Sequence, residues 1–535
     1  MTSPGIATVV YGRSVVTVPF TPPCRLSDLL GKSGLPFSAP CGGKGTCLSC
    51  RVTATGALSE PTERERAVLT EADLRAGVRL ACMTQALGDV ELRLSPGAVQ
   101  VVTEWENAAA PTPPGGQGFG LAVDVGTTTV AAYLYDLADG RRLATAACEN
   151  PQRAFGADVV SRIDAALHGQ GEPLRCAVTA AIGDLQAQAC AQAGIDPAEV
   201  GDRVIAGNTA MLTLLCGKSP AALATAPFIP EHRFDEYRAP SDFGWSGTAQ
   251  SRVYLPPCPA AYVGADTVAA LLAADLFRDG KPTVTRPVLL ADVGTNGELV
   301  LVTPDGLLAC SAAAGPALEG AGIRCGMVAA PGAVSQVGLL GARFQITVIG
   351  GGKAAGLCGS GLLDLVAVLG AAGVLDREGR LHEDGHAFTE YIRETDGQLA
   401  FYLPGTDVCL TQADVRAVQL AKAAIRAGLE TLLAAANLTG DAVDRLLLAG
   451  GFGSRLSPAS AAAIGLIPPT LTSRTEAIGN AAGAGACRLL LDPGAVTDAR
   501  ALAGQVRVLT LNDQPGFESD YIRFMRFDTF SRQSE

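Results

Sequence analysis

The sequence predicts a multidomain chain in which a small β-rich domain precedes a duplicated α/β unit, and three observations lead there. The chain has 535 residues, enough for about three or four domains at roughly 150 residues each. A Pro/Gly/Ala-rich, almost uncharged stretch, ENAAAPTPPGGQGFG (106–120), has the composition of a semi-extended linker. Beyond it, the strand-turn motifs LAVDVGTTTV (121–130) and LLADVGTNGELV (289–300) match closely. VIAGNTAM (204–211) and LLLAGGFG (446–453) follow them in the same order, so one fold unit is present twice.

In the first domain, IATVVYG (6–12) and SVVTVPF (14–20) alternate apolar and polar residues around a Gly-Arg turn, and RLSDLLGKSG (25–34) reads as a short helix. VELRLSP (90–96) closes with a strand. The expected division is 1–98, a linker over 99–120, a first α/β unit over 121–285 and a second over 286–535 with a C-terminal extension. In both units β-branched runs ending in Gly/Thr turns alternate with Ala-rich helical stretches. Residues 376–410 read as an exposed excursion, LTQADVRAVQLAKAAIRAG (410–428) as a helix with Lys422 on its solvated face, and FESDYIRFMRF (517–527) as a final edge strand.

Composition narrows the function. A net charge of −12 opposes partners held by phosphate neutralisation, so no nucleic acid is expected. The longest uncharged stretches, 325–342 and 456–473, are interrupted by Pro, Gly and Ser, so no membrane span is expected. The N-terminus has no basic segment followed by an apolar block, and a cytoplasmic protein is expected.

The 15 cysteines are odd in number and unevenly spaced, unlike a disulfide framework. Cys148, Cys176, Cys190, Cys216, Cys310 and Cys487 lie in apolar surroundings and read as small buried hydrophobes. Four others differ. CGGKGTCLSC supplies Cys41, Cys47 and Cys50 on a Gly-rich loop, and RLACMTQ supplies Cys82. Two irons bridged by two sulfides need four thiolates, and the loop glycines let backbone N–H groups aim at the sulfurs. Four thiolates also satisfy a structural zinc site, although zinc ribbons favour two C-x2-C knuckles and Cys82 stands alone. Over residues 1–95 the chain resembles [2Fe-2S] ferredoxins of the adrenodoxin and putidaredoxin spacing, which implies a β-grasp fold of the α+β class.

DVGTTT (124–129) sets an acid at a strand end before a Gly-Thr-Thr turn. Such a turn offers N–H groups and the hydroxyls of Thr127 and Thr128 to phosphate oxygens around Gly126, while the Asp124 carboxylate can hold Mg²⁺. DVGTNGE repeats the pattern with Asp292, Gly294, Thr295, Asn296 and Glu298, and two such turns facing each other could clamp a triphosphate. In LAGGFG, Gly450 and Gly451 suit close backbone approach to a nucleoside. One D-x-G-T turn is often only a tight turn; three motifs in this order carry more weight. YVGADT, CSAAAGPALEG and GLCGSGLLD offer Asp266, Glu319 and Asp364 to the same cleft, or serve only close helix-sheet packing. His168, His232, His382 and His386 have no metal-ligand spacing, and no Walker A sequence occurs. The three motifs resemble the superfamily of acetate kinase, sugar kinases, actin and the large heat-shock chaperones. That resemblance implies a duplicated ribonuclease H-like, actin-like ATPase fold with phosphate motifs at Asp124 and Asp292, the two catalytic carboxylates, and an adenosine motif at Gly450 and Gly451.

A ferredoxin joined to such an ATPase suits uphill electron transfer driven by nucleotide. From Cys41 onward the chain resembles the ATP-dependent reductive activators of corrinoid proteins, through CGGKGTC, DVGTTT, NPQRAFGADVVSRI, AGNTAM, VGADT, DVGTNGE, AAGPALEG, GLCGSGLLD, TQADVR, LAGGFG and GNAAGAGA. The resemblance implies a [2Fe-2S] cluster, ATP and Mg²⁺ as cofactors, with Asn208 of AGNTAM among the nucleotide-site residues. It further implies an electron-donor protein or reductase, a corrinoid protein of a methyltransferase system whose Co(II) is reduced to Co(I), and a homodimer through the C-terminal domain. Thr213 departs from the histidine that relatives carry after AGNTAML. Competing classes are an activator of the 2-hydroxyacyl-CoA dehydratase type, a redox sensor with an ATP-binding domain, and a sugar kinase, which would not require the cluster.

Overall fold

Alternating side chains build the first sheet. In the computed structural model, which describes residues 4–11, 14–33, 50–69, 71–94, 116–453 and 456–530, β1 (Gly5–Tyr11) and β2 (Ser14–Phe20) pair along their length as a hairpin. With α1 (Leu26–Ser33), β3 (Arg51–Leu58), β4 (Val78–Leu80) and β5 (Gln85–Leu94), the strand order is β2-β1-β5-β3-β4, with β1 parallel to β5. Ala7 and Val9 point inward onto Leu26, Leu29 and Leu30 of α1, giving this region its own core. This is the mixed sheet and single covering helix of a β-grasp.

The repeat read in the sequence is a repeat in space. In the first unit β6 (Phe119–Val125), β7 (Thr129–Asp136) and β8 (Arg142–Glu149) form an antiparallel meander. Next to β6 lies β9 (Val200–Gly207), parallel to it, then β11 (Val253–Leu255), edged by β10 (Glu236–Arg238). In the second unit β12 (Val288–Val293), β13 (Gly297–Thr303) and β14 (Gly306–Ala312) form the same meander, and β15 (Arg445–Ala449) and β16 (Thr475–Gly479) follow in parallel on the β12 side. A short β17 (Arg507–Val508) edges β14. The central strands are buried on both faces, as sheets covered by helices on each side require.

On the outer faces, α2 (Gly171–Ala193) covers the first sheet and α6 (Gln412–Ala435) the second. Between the sheets, α4 (Ala265–Ala273) crosses α7 (Ala481–Leu491), and one apolar core joins both units there. The crossing is so close that a Cβ on Gly485 would lie 1.9 Å from the Ala269 carbonyl oxygen.

Three expectations are corrected by packing. Lys422 is not on a solvated face: it is 1% exposed, and its Nζ donates to the carbonyls of Phe524 and Arg526, the latter at 2.7 Å. The segment read as an edge strand is instead the helix α8 (Phe517–Phe524), packed on α6. Residues 376–410 are not simply exposed, because Phe401, Leu403, Val408 and Leu410 enter the main core through a small sheet of Ile392–Thr395, Gln398–Tyr402 and Cys409–Thr411. Among the six cysteines read as buried, Cys190, Cys310 and Cys487 are so, Cys148 and Cys216 are half-buried, and Cys176 is exposed on α2 beside Glu172.

Candidate functional site: a cleft between two phosphate-type turns and a buried thiol pair

Each meander turns back on itself at its first hairpin, and those two turns face one cleft of about 220 Å³ that opens to solvent. The first turn, between β6 and β7, carries Gly126, Thr127 and Thr128; the second, between β12 and β13, carries Gly294, Thr295 and Asn296. Asp124 and Asp292 sit at the strand ends that enter them, Glu298 lies just beyond the second, and Gly450 and Gly451 close the floor.

Buried polar side chains hold the first turn from behind. Asn150 Nδ2 donates to the Gly126 carbonyl at 2.8 Å, and the fully buried Arg162 donates to the Thr127 carbonyl at 2.6 Å. Both belong to NPQRAFGADVVSRI, a motif whose work is to brace the Gly-Thr-Thr turn. Asn208 caps α3 (Thr209–Leu215) through its Oδ1, which accepts from the Met211 N–H at 2.9 Å, and its Nδ2 donates to Thr127 Oγ1 at 3.2 Å. Thr213, one turn on, is buried, and its hydroxyl donates to the Thr209 carbonyl at 2.6 Å.

Glu319 joins the two turns. Its carboxylate accepts from Thr128 Oγ1 at 2.5 Å and from Thr295 Oγ1 at 3.1 Å, one hydroxyl from each unit. The sequence offered Glu319 and Asp266 as cleft residues, and both line it. Asp364 does not: on α5 (Gly359–Ala371) it accepts from Val337 N–H and Ser460 Oγ and ties that helix to its neighbours. Sequence reasoning missed Asn480, which donates to Asp124 Oδ2 at 2.9 Å from the cap of α7; GNAAGAGA was its only signal.

The carboxylates are crowded, Asp124 buried and Asp266, Asp292 and Glu298 half-buried. Burial raises Asp124 to about 7 despite its bond from Asn480, with repulsion from Asp266 adding to the shift. Burial also lifts Asp292 to about 7, reinforced by Asp266, Asp124 and Glu319, and lifts Asp266 to about 6. Glu298 is pushed well above the usual range, first by burial and then by Asp266 and Asp292. Anions so placed call for a counter-cation, which a magnesium-bound phosphate would bring. Gly450 lets Asp292 into the floor: at φ +88° it adopts the left-handed conformation, and a Cβ there would lie 2.4 Å from Asp292 Oδ1.

In the N-terminal sheet, Cys50 and Cys82 are both buried with their sulfurs 3.3 Å apart. Cys41 and Cys47 lie outside the described residues. The Cys82 segment is anchored by buried Glu65, whose carboxylate accepts from Arg79, from the Leu80 N–H at 3.1 Å and from Thr84 Oγ1 at 2.8 Å. Burial alone would raise Glu65, but Arg79 and the other donors bring it down to about 2. Two sulfurs converging from distant segments onto one point fit a shared metal centre. Of the histidines, His382 pairs with Asp376 at 3.0 Å, His386 bonds the His382 carbonyl, and His168 bonds the Asp164 carbonyl. His232 lies 3.4 Å from Lys218 Nζ.

Comparison with known proteins places this geometry. Residues 119–279 match the model of the RACo middle region, and 286–533 that of the C-terminal domain of RACo, the ASKHA domain. Corrinoid activation enzyme RamQ of Eubacterium limosum is 32% identical over 76% of this chain and 69% of its own. The solved reductive activator for corrinoid, iron-sulfur protein superposes with a TM-score of 0.69 at 27% identity, covering 97% of this chain and 98% of that one. A stretch of 69 residues is 41% identical to a component of the Na(+)-translocating NADH-quinone reductase of Chlamydia felis, covering 13% of this chain and 16% of that protein. Two family models end to end, a relative similar over most of both chains and a matching whole-chain fold agree: the chain belongs to the RACo family of reductive activators of corrinoid proteins.

Proposed function

We propose that this protein uses ATP to drive reduction of a corrinoid-bound Co(II) on a partner methyl-transfer protein to Co(I). The observation that carries the reading is the pair of facing turns tied through Glu319, in the same chain as the converging Cys50 and Cys82 thiols. Cys41, Cys47, Cys50 and Cys82 would hold a [2Fe-2S] cluster, which supplies one-electron storage when bound. An electron-donor protein or reductase lies upstream, the corrinoid protein downstream, and the active form is a homodimer working in the cytoplasm. The division at 98, 120 and 285 assigns the electron-carrying and nucleotide-binding tasks to separate units.

In the cleft, the hydroxyls of Thr127, Thr128 and Thr295 and the N–H groups around Gly126, Gly294 and Asn296 bind phosphate oxygens. Asp124, Asp292 and Glu298 would hold Mg²⁺, which would supply charge neutralisation for the phosphates, Asn208 orients Thr127, and the Gly450–Gly451 backbone receives the nucleoside. Phosphate arriving between the turns competes with Glu319 for both hydroxyls. ATP thereby gains affinity for one arrangement of the two units, and only such differential affinity can shift a redox equilibrium elsewhere.

The test is anaerobic: the chemically reduced protein is mixed with a Co(II) corrinoid protein, and Co(I) is followed by visible absorbance with and without Mg-ATP. ATP-dependent Co(I) is expected, together with loss of ATP stimulation but intact cluster spectra in Asp292→Ala. ATP hydrolysis without Co(I), over several corrinoid partners, would sink the reading.

A further inference from the structure

Away from the proposed cluster, the described residues contain a second pair of converging thiols. Cys325, half-buried in the loop after Glu319, and Cys409, buried at the start of Cys409–Thr411, are 84 positions apart in sequence yet hold their sulfurs 3.7 Å apart. The Cys409 N–H also donates to Cys325 Sγ at 3.4 Å. The contact with the Cys409 sulfur and the Cys409 N–H, outweighing burial and helped by Arg324, lower the Cys325 thiol below its ordinary range. Cys325 is the more exposed sulfur and Cys409 lies buried behind it, so Cys325 is the one that an incoming disulfide reaches and the nucleophile of the pair.

The pair is close to the cleft along the chain. The Cys325 carbonyl is anchored by the Leu357 N–H at 2.7 Å. Two residues later, Met327 packs so tightly on Gly320 that a Cβ there would lie 2.7 Å from the Met327 carbonyl oxygen. Gly320 directly follows Glu319, the residue that ties the two turns.

We propose that Cys325 and Cys409 form a dithiol site for low-molecular-weight disulfides, and that its oxidised form restrains the loop that carries Glu319. The Cys325 thiolate attacks one sulfur of the small disulfide, forming a mixed disulfide and releasing a small thiolate, which takes up the proton lost from Cys325. Cys409 then attacks the Cys325 sulfur and expels the second small thiolate, which takes the Cys409 proton. Two protein thiols are oxidised and one small disulfide is reduced to two thiols. The sulfurs need only close from 3.7 Å to about 2.05 Å. Exposed Cys176 provides the contrast: burial and then Glu172 raise its thiol, so it should react more slowly.

The experiment treats the full-length holoprotein anaerobically with glutathione disulfide, then alkylates, digests and maps it by mass spectrometry. The expected product is a dithiothreitol-reversible cross-link between the peptides containing Cys325 and Cys409. In Cys409→Ala, glutathione should remain on Cys325; in Cys325→Ala, Cys409 should stay reduced. Amide hydrogen exchange over residues 317–328 should slow severalfold on oxidation of the wild type and stay unchanged in Cys409→Ala. Glutathione persisting on Cys325 of the wild type, or no reaction at either thiol, overturns the dithiol. A cross-link with unchanged exchange overturns the restraint on the Glu319 loop. No nucleotide enters the assay, so its failure is separate from failure of the ATPase reading.

Discussion

Two residue-scale features of the cleft, an acid-filled floor and one left-handed glycine, set measurable properties. In Gly450→Ala, an L-residue at φ +88° costs about 1–2 kcal/mol. The new Cβ also displaces the Asp292 carboxylate from its seat. ATP affinity by calorimetry is therefore expected to fall about tenfold or more, the equivalent of at least 1.4 kcal/mol, with the melting transition retained. Unchanged affinity would remove Asp292 from the nucleotide site. The crowded carboxylates give a signed pH dependence. Asp266 titrates at about 6 in the fold, and Asp124 and Asp292 at about 7, all above their ordinary value of 3.8. The folded chain thus holds protons that the unfolded chain releases, so this contribution is full below about pH 4 and is lost as pH rises through 6 to 7. Nucleotide-free protein should lose melting temperature between pH 5 and pH 8, and Asp266→Asn should flatten that slope. A steeper slope in the variant would mean that Asp266 relieves the cluster instead of crowding it.

Elements explain which parts of this site could be read without coordinates. The two turns were legible because their chemistry is local: Asp, Gly and hydroxyl residues stand within six positions, and the strands beside them are apolar runs. The approach of Cys82 to Cys50, sulfurs 3.3 Å apart, was legible because the sequence pairs a lone cysteine with a cysteine-rich loop. Lys422 was not, because what buries it is α8, whose Phe524 carbonyl lies 102 positions away. The α8 segment was misread for a related reason. Its short aromatic-rich run suits either period, and the face of α6 presented by Ala423 and Ala427 decides in favour of helix. Asn480 was hidden because GNAAGAGA reads first as packing, and packing is indeed half its role. Gly485→Ala inserts a methyl at the α4–α7 crossing, where the Ala269 backbone cannot move aside cheaply. Overpacking of this kind costs about 1–3 kcal/mol. The urea midpoint is expected to drop accordingly, and ATP affinity to weaken with it, because Asn480, which holds Asp124, caps the displaced helix. A lowered midpoint with full ATP affinity would detach the crossing from the cleft.

At the scale of the whole molecule, the cores divide the labour. The N-terminal sheet closes its own apolar core around α1, whereas the two α/β units share one through α4 and α7. The nucleotide cleft draws residues from both of those units and none from the N-terminal sheet. If electron carriage and ATP use are separate tasks joined by a linker, they should come apart when the chain is cut there. A chain beginning at residue 116 keeps every side chain that lines the cleft and every residue of the shared core. It is expected to fold, to bind Mg-ATP with wild-type affinity and to hydrolyse it, yet to form no Co(I) from a reduced donor and a Co(II) corrinoid protein. Adding residues 1–115 as a separate polypeptide should restore little, because the linker replaces a bimolecular encounter with a local one at roughly millimolar effective concentration. Loss of ATP binding on truncation would show instead that the N-terminal sheet completes the cleft, and retention of Co(I) formation would mean that the electron does not pass through the thiol-bearing domain at all.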